Sequence, residues 1–146
     1  MFDHEKLDVY QLELKFLGWA TKFLVELMDV PSRVNKRELS DQLDRASLSA
    51  LLNTAEGNGR RQGKQRAKFF DDARGSAFEC AACLDASVAK KLSTRERIQP
   101  GKDLLERIVA MLSKLVERFD PDSYRIREGG DAKPIEDEDD DDTPHP

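Results

Sequence analysis

From about Asp3 to Met28 the apolar residues recur at alternating steps of three and four, the spacing of a helix. Leu7, Tyr10, Leu14, Leu17, Thr21, Leu24 and Met28 form one stripe, and Val9, Leu12, Phe16, Ala20, Phe23 and Leu27 form a second. At about 100° per residue the stripes lie on different faces, which leaves a narrow polar strip of Asp8, Gln11, Lys15, Lys22 and Glu26. One apolar face is enough for a helix in a monomeric bundle. The second predicts burial against another subunit, unless a longer crossover or the end of the chain covers it.

Pro31 and Asn35 punctuate the first connection. A second helix is expected from about Lys36 to Glu56, with Leu39, Leu43, Ala46, Ala50 and Asn53 inward and Gly57 and Gly59 ending it at positive φ. A third is expected from about Lys64 to Lys91. Its apolar arc is Phe69, Phe70, Ala73, Ala77, Cys80, Leu84 and Val88, and small residues along it allow close approach. Ser93 and Glu96 have the spacing of a capping box, after which Pro100 and Gly101 are expected to interrupt the helix. Ile98, Leu105, Leu112 and Phe119 then recur every seven residues. Four helices with short connections predict an all-α, antiparallel up-and-down four-helix bundle over residues 1–120. No segment alternates as a strand does.

Charge divides the chain. Residues 121–146 hold 10 Asp+Glu against 3 Lys+Arg, whereas the first 120 hold 21 cations against 19 anions. The run of seven carboxylates from Glu136 to Asp142 cannot bury apolar area to offset its ordering entropy. An acidic disordered tail is therefore expected, serving either solubility or as an intramolecular mimic of an anionic ligand. The start, MFDHEKLDVY, has charges where a signal peptide needs an apolar core, and no apolar run approaches the roughly 18 to 20 residues of a membrane span. A cytoplasmic protein with no membrane contact is expected.

Two motifs fail on inspection. Cys80-Ala-Ala-Cys83 falls inside the apolar arc of the third helix, not at a helix N-terminus after a strand. A zinc site needs about four ligands, and the only histidines, His4 and His145, lie near the chain ends. Gly57 to Lys64 has neither the glycine spacing nor the Ser/Thr of a phosphate loop. No cofactor or metal is expected.

The cation cluster is a stronger signal. Arg60, Arg61, Lys64, Arg66 and Lys68 sit on a loop and the first turns of a helix, with Arg74 extending the group. Backbone N–H groups at a helix start also favour anions. In a lone monomer such a cluster is a solvated loop. Repeated around a symmetry axis, it becomes a surface that neutralises phosphates in a sequence-independent, salt-sensitive way. No aromatic is interleaved in the loop, which argues against single-strand stacking. Arg45, Ser49, Asn53 and Glu56 are polar groups on a largely apolar helix; Ser49 and Asn53 are an i, i+4 pair able to reach each other, and Glu79 on the next helix is the expected partner of Arg45. Without a nucleophile, metal set or histidine they predict a structural polar network and not an enzyme.

These residues also carry a family resemblance. Gln42, Arg45, Ala46, Ser49, Asn53, Ala55-Glu56-Gly57 and Arg60 resemble a QhxRAxxSxxxNhAEGxGR signature. Phe69, Ala73, Gly75-Ser76 and Glu79 resemble a second block, FxxxAxGSxxE. The chain is thereby similar to the four-helix-bundle proteins encoded in intervening sequences of large-subunit ribosomal RNA genes. It is also similar to the accessory variability determinants of diversity-generating retroelements. Thr54 stands where the family usually has isoleucine. The resemblance implies a homopentamer with a basic surface. Structured RNA or DNA and a nucleic-acid-processing protein are the partners it suggests, and an acidic partner protein is the alternative.

Overall fold

The structure, a computed structural model, describes residues 1–122; the expected acidic tail lies almost wholly outside the described residues. A 3-10 turn, Asp3–Lys6, precedes four helices: α1 (Asp8–Asp29), α2 (Arg37–Gly59), α3 (Gly63–Ala89) and α4 (Arg95–Phe119). Consecutive helices pack side by side and α1 closes the ring against α4, while the backbones of the diagonal pairs stay apart and only their core side chains meet. This is the expected four-helix bundle, with three-residue and five-residue links at its last two corners.

The core follows the periodicity. The second stripe of α1, from Val9 through Phe16 and Phe23 to Leu27, is buried. It meets Leu43 and Ala46 of α2, Phe70, Ala77 and Leu84 of α3, and Ile98, Leu105 and Leu112 of α4 in one cluster. Each such large side chain contributes about 1.5–3 kcal/mol by leaving water. The other stripe of α1 is divided: Leu17 and Leu24 are half-buried, whereas Leu14 and Met28 are 40% and 52% exposed.

Several boundaries differ from the sequence reading, each for a packing reason. Leu7 is extended, so the first helix begins at Asp8 and not at Asp3. α2 does not stop at Glu56, and no glycine among the described residues has positive φ. Gly57 is instead a helical contact point, because a Cβ there would meet Phe69 Cβ and the Phe70 ring at 3.1 Å. The left-handed residue is Lys91, φ 63°, beyond the end of α3. The Leu92 and Lys91 amides donate to the Ser87 and Val88 carbonyls at 2.9 Å, and Leu92 is buried beneath them. Together these form a Schellman stop.

The cap of α4 is one residue later than expected. The Thr94 hydroxyl accepts from the Arg97 N–H at 3.2 Å, while the Ser93 amide serves the end of α3. Pro100 and Gly101 do not break α4, which is continuous through them. A Cβ at Gly101 would lie 2.4 Å from the Trp19 ring, so the missing side chain is what lets α1 lie against α4. Trp19 stacks on Phe23 at 5.2 Å, and Arg97 lies 5.2 Å over the Trp19 ring while its Nε donates to Glu26 at 2.6 Å.

Candidate nucleic-acid interface

The corner between α2 and α3 is built by three chain segments. The Arg60 amide donates back to the Gly57 carbonyl at 3.2 Å as α2 closes, and the Gln62 carbonyl accepts from Arg66 at 2.9 Å as α3 opens. The end of α4 packs into this corner. A Cβ at Gly63 would stand 2.9 Å from the Phe119 carbonyl, so only glycine admits that approach. The Phe119 ring lies 5.9 Å from Phe70.

Five of the six sequence-predicted cations share this end of the molecule, with Arg74 nearer the middle of α3, and they differ in freedom. Arg66 is a strut. Its guanidinium lies 4.2 Å over the Phe119 ring, Nη2 donates to Asn58 Oδ1 at 3.0 Å, and Nε is buried without a partner among the described residues. Arg60 pairs with Glu56 and lies 4.9 Å over Phe69. Lys68 pairs with Asp72 at 3.4 Å, and Arg74 faces Asp71 at 3.8 Å and Phe78 at 5.6 Å. Arg61 and Lys64 are exposed and have no ion pair or side-chain hydrogen bond among the described residues. Exposed pairs such as Arg60–Glu56 and Lys68–Asp72 are worth at most about 1 kcal/mol and exchange readily for another anion. Arg61 and Lys64, flanked by Arg60 and Lys68, are therefore the available charge.

Two supports of this corner were not foreseen in the sequence. Phe69 and Phe119 underlie the cations as ring faces, a role that helical spacing alone does not separate from core packing.

The polar network divides in two. The Asn53 amide donates to Ser49 Oγ at 3.1 Å, as the i, i+4 spacing predicted, and the Ser76 hydroxyl donates to the same oxygen at 2.9 Å. That links α2 to α3. Arg45 does not pair with Glu79; its Nη2 donates to Gln42 at 2.7 Å. Glu56 belongs to the corner through Arg60. Arg45 and Glu79 nonetheless line one shallow groove with Leu48, Ser49, Leu52 and Asn53. Leu48, Leu52 and nearby Phe78 are about half exposed.

Cys80 and Cys83 are free and buried. Burial, with the neighbouring Cys83 and Glu79 adding to it, pushes the Cys80 thiol up to about 12, which disfavours the thiolate that disulfide exchange requires. Among the described residues no group of three or more His, Cys, Asp or Glu is placed to hold a metal ion. No described helix is long and apolar enough to cross a membrane.

The described residues thus form an all-α four-helix bundle with a cation-bearing corner backed by aromatic rings, and no metal-ligating group among them. The chain belongs to the 23S rRNA-intervening sequence protein family, whose sequence pattern matches residues 5–114. No curated protein matches the chain.

Proposed function

We propose that this protein is a non-enzymatic, self-associating, cytoplasmic bundle that binds structured RNA or DNA through phosphates at the α2–α3 corner. The supporting observation is the pair Arg61 and Lys64, exposed and unpartnered among the described residues beside Arg60 and Lys68. The first turn of α3 adds the positive end of a helix dipole. Arg60, Lys68 and, further along, Arg74 join when phosphate displaces their carboxylates. Arg66 holds the corner in shape.

Self-association is supported by the apolar side chains that α1 and α2 leave outside the core. Leu14, Val25 and Met28 on α1 and Leu48 and Leu52 on α2 are each at least 40% exposed. A homopentamer, as the family resemblance implies, would bury them and set five corners around one axis. Multiplying weak contacts in this way raises avidity without new chemistry.

The test is fluorescence anisotropy of a structured RNA with the full chain and with Arg61→Ala/Lys64→Ala, across a salt series. Each lost phosphate contact should lower the slope of log affinity against log salt by about one. Equal affinity and slope in the two proteins overturns the assignment. The same exposed cations, Arg61 and Lys64, support a second reading, a scaffold whose basic patch contacts an acidic partner protein. A pull-down that survives nuclease while direct RNA affinity is absent selects that reading.

A further inference from the structure

We infer that the acidic run Glu136–Asp142 docks on the Arg60–Lys68 corner of its own chain and competes there with external polyanions. The inference rests on the reading of that corner as an anion-binding surface, and the position of Phe119 carries it. Helix α4 ends against the corner: Arg66 lies 4.2 Å over the Phe119 ring, and the Phe119 carbonyl sits 2.9 Å from where a Gly63 side chain would be. The chain beyond Asp120 therefore starts beside the cations, not at the far end of the bundle.

Reach and charge agree with that placement. Fifteen residues lie between Asp120 and Glu136, at most about 55 Å of chain. The cations at the opposite end, Lys90, Lys91 and Arg95, stand away by the length of α3, 27 residues or about 40 Å. The run could touch them only by stretching its linker over most of that length, whereas the corner is adjacent. Seven carboxylates would face Arg61 and Lys64, which have no partner among the described residues, and Arg60 and Lys68, which have only exposed ones. Tethering makes the encounter intramolecular, so even weak attraction occupies the site.

The experiment compares the full chain with a full-length variant carrying Glu136→Gln, Glu138→Gln and Asn at Asp137 and at Asp139 to Asp142. Acetylation rates of Lys64 and Lys91 are read by mass spectrometry at low and high salt, and affinity for a fluorescent RNA hairpin is read in parallel. Neutralising the run should speed Lys64 acetylation about threefold at low salt, with the difference lost at high salt, and leave Lys91 unchanged. Hairpin affinity should tighten about tenfold at low salt.

Equal Lys64 rates in the two proteins, or protection at Lys91 instead, overturns the docking whatever the hairpin does. Lys64 protection without hairpin affinity in either protein upholds the docking and removes nucleic acid as the ligand. A mixed sample covers docking between copies: isotopically heavy neutralised chains are co-expressed with light full chains. Protection of heavy Lys64 in that sample would show the run acting on a neighbour and overturn the intrachain assignment.

Discussion

The hydroxyl of Thr54 in α2 donates a 2.7 Å hydrogen bond to Glu13 Oε2 in α1, with both side chains buried. Thr54 stands where the family resemblance leads one to expect isoleucine, and its hydroxyl serves a buried acid. Glu13 lies beside the buried stripe of α1, and its second oxygen has no partner among the described residues. Burial pushes its carboxyl up to about 8, with the Thr54 bond pulling weakly the other way. The pair is thus a polar contact in an apolar interface, held by a neutral acid near physiological pH.

Breaking that pair on one side should be worse than removing it. Thr54→Val leaves the acid buried without its bond and should cost about 1–3 kcal/mol. Glu13→Leu with Thr54→Val should recover most of that loss, or exceed the parent, because an apolar pair of similar shape carries no desolvation penalty. Urea unfolding of the two single variants and the double variant measures the coupling. A double variant less stable than Thr54→Val would refute the account.

The same carboxyl makes stability depend on pH. In the unfolded chain Glu13 ionises near the ordinary carboxylate value of 4.5, while in the fold it holds its proton up to about 8. The folded state therefore binds the extra proton between these values. Its contribution is full below about 4.5, falls as pH rises and is lost above about 8. The span corresponds to up to about 5 kcal/mol, which local relaxation will reduce. Denaturation midpoints at pH 5 and pH 8 should differ in the parent, and the difference should shrink in Glu13→Leu/Thr54→Val.

Gly101→Ala should destabilise the bundle although alanine is the better helix former. The new methyl would overlap the Trp19 ring, whose nearest atom is 2.4 Å from that position. Overpacking of this kind costs about 1–3 kcal/mol, more than the roughly 1 kcal/mol that helix propensity returns. Trp19 is the only tryptophan, so its fluorescence reports the displacement directly. An unchanged spectrum with a raised melting temperature would contradict the assigned contact.

Lys91→Gly should stabilise by about 0.5–1 kcal/mol. The residue is left-handed at φ 63°, a conformation that costs a side-chain-bearing residue about 1 kcal/mol and glycine nothing. A thermal melt checks the direction.

Arg66 and Arg61 should separate structure from binding. Arg66→Ala removes the stack on Phe119 and the bond to Asn58, and should lower stability by about 1–2 kcal/mol. Arg61→Ala should leave the melt unchanged within about 0.5 kcal/mol. Equal melting of both variants would mean that Arg66 is not the strut described.

Periodicity alone determined the helices and most of the core, because a 3.6-residue repeat of apolar side chains can be satisfied only by burying one face of a helix. Val9, Phe16, Phe70, Leu84 and Leu112 were all legible that way. So were the cation cluster and the Ser49–Asn53 pair, which depend on residues within one or two turns. Contacts between elements decided the rest. Gly57 and Gly101 read locally as stops, yet each is a place where another helix comes too close for a side chain. The turn residue at the end of α3 is a lysine, selected by the burial of Leu92 and not by its own preference. Glu13 and Thr54 are 41 residues apart, and a buried acid between two apolar stripes has no local signature. Which cations are free and which are struts depended on where α4 ends, because Phe119 holds Arg66 and leaves Arg61 and Lys64 exposed at its side.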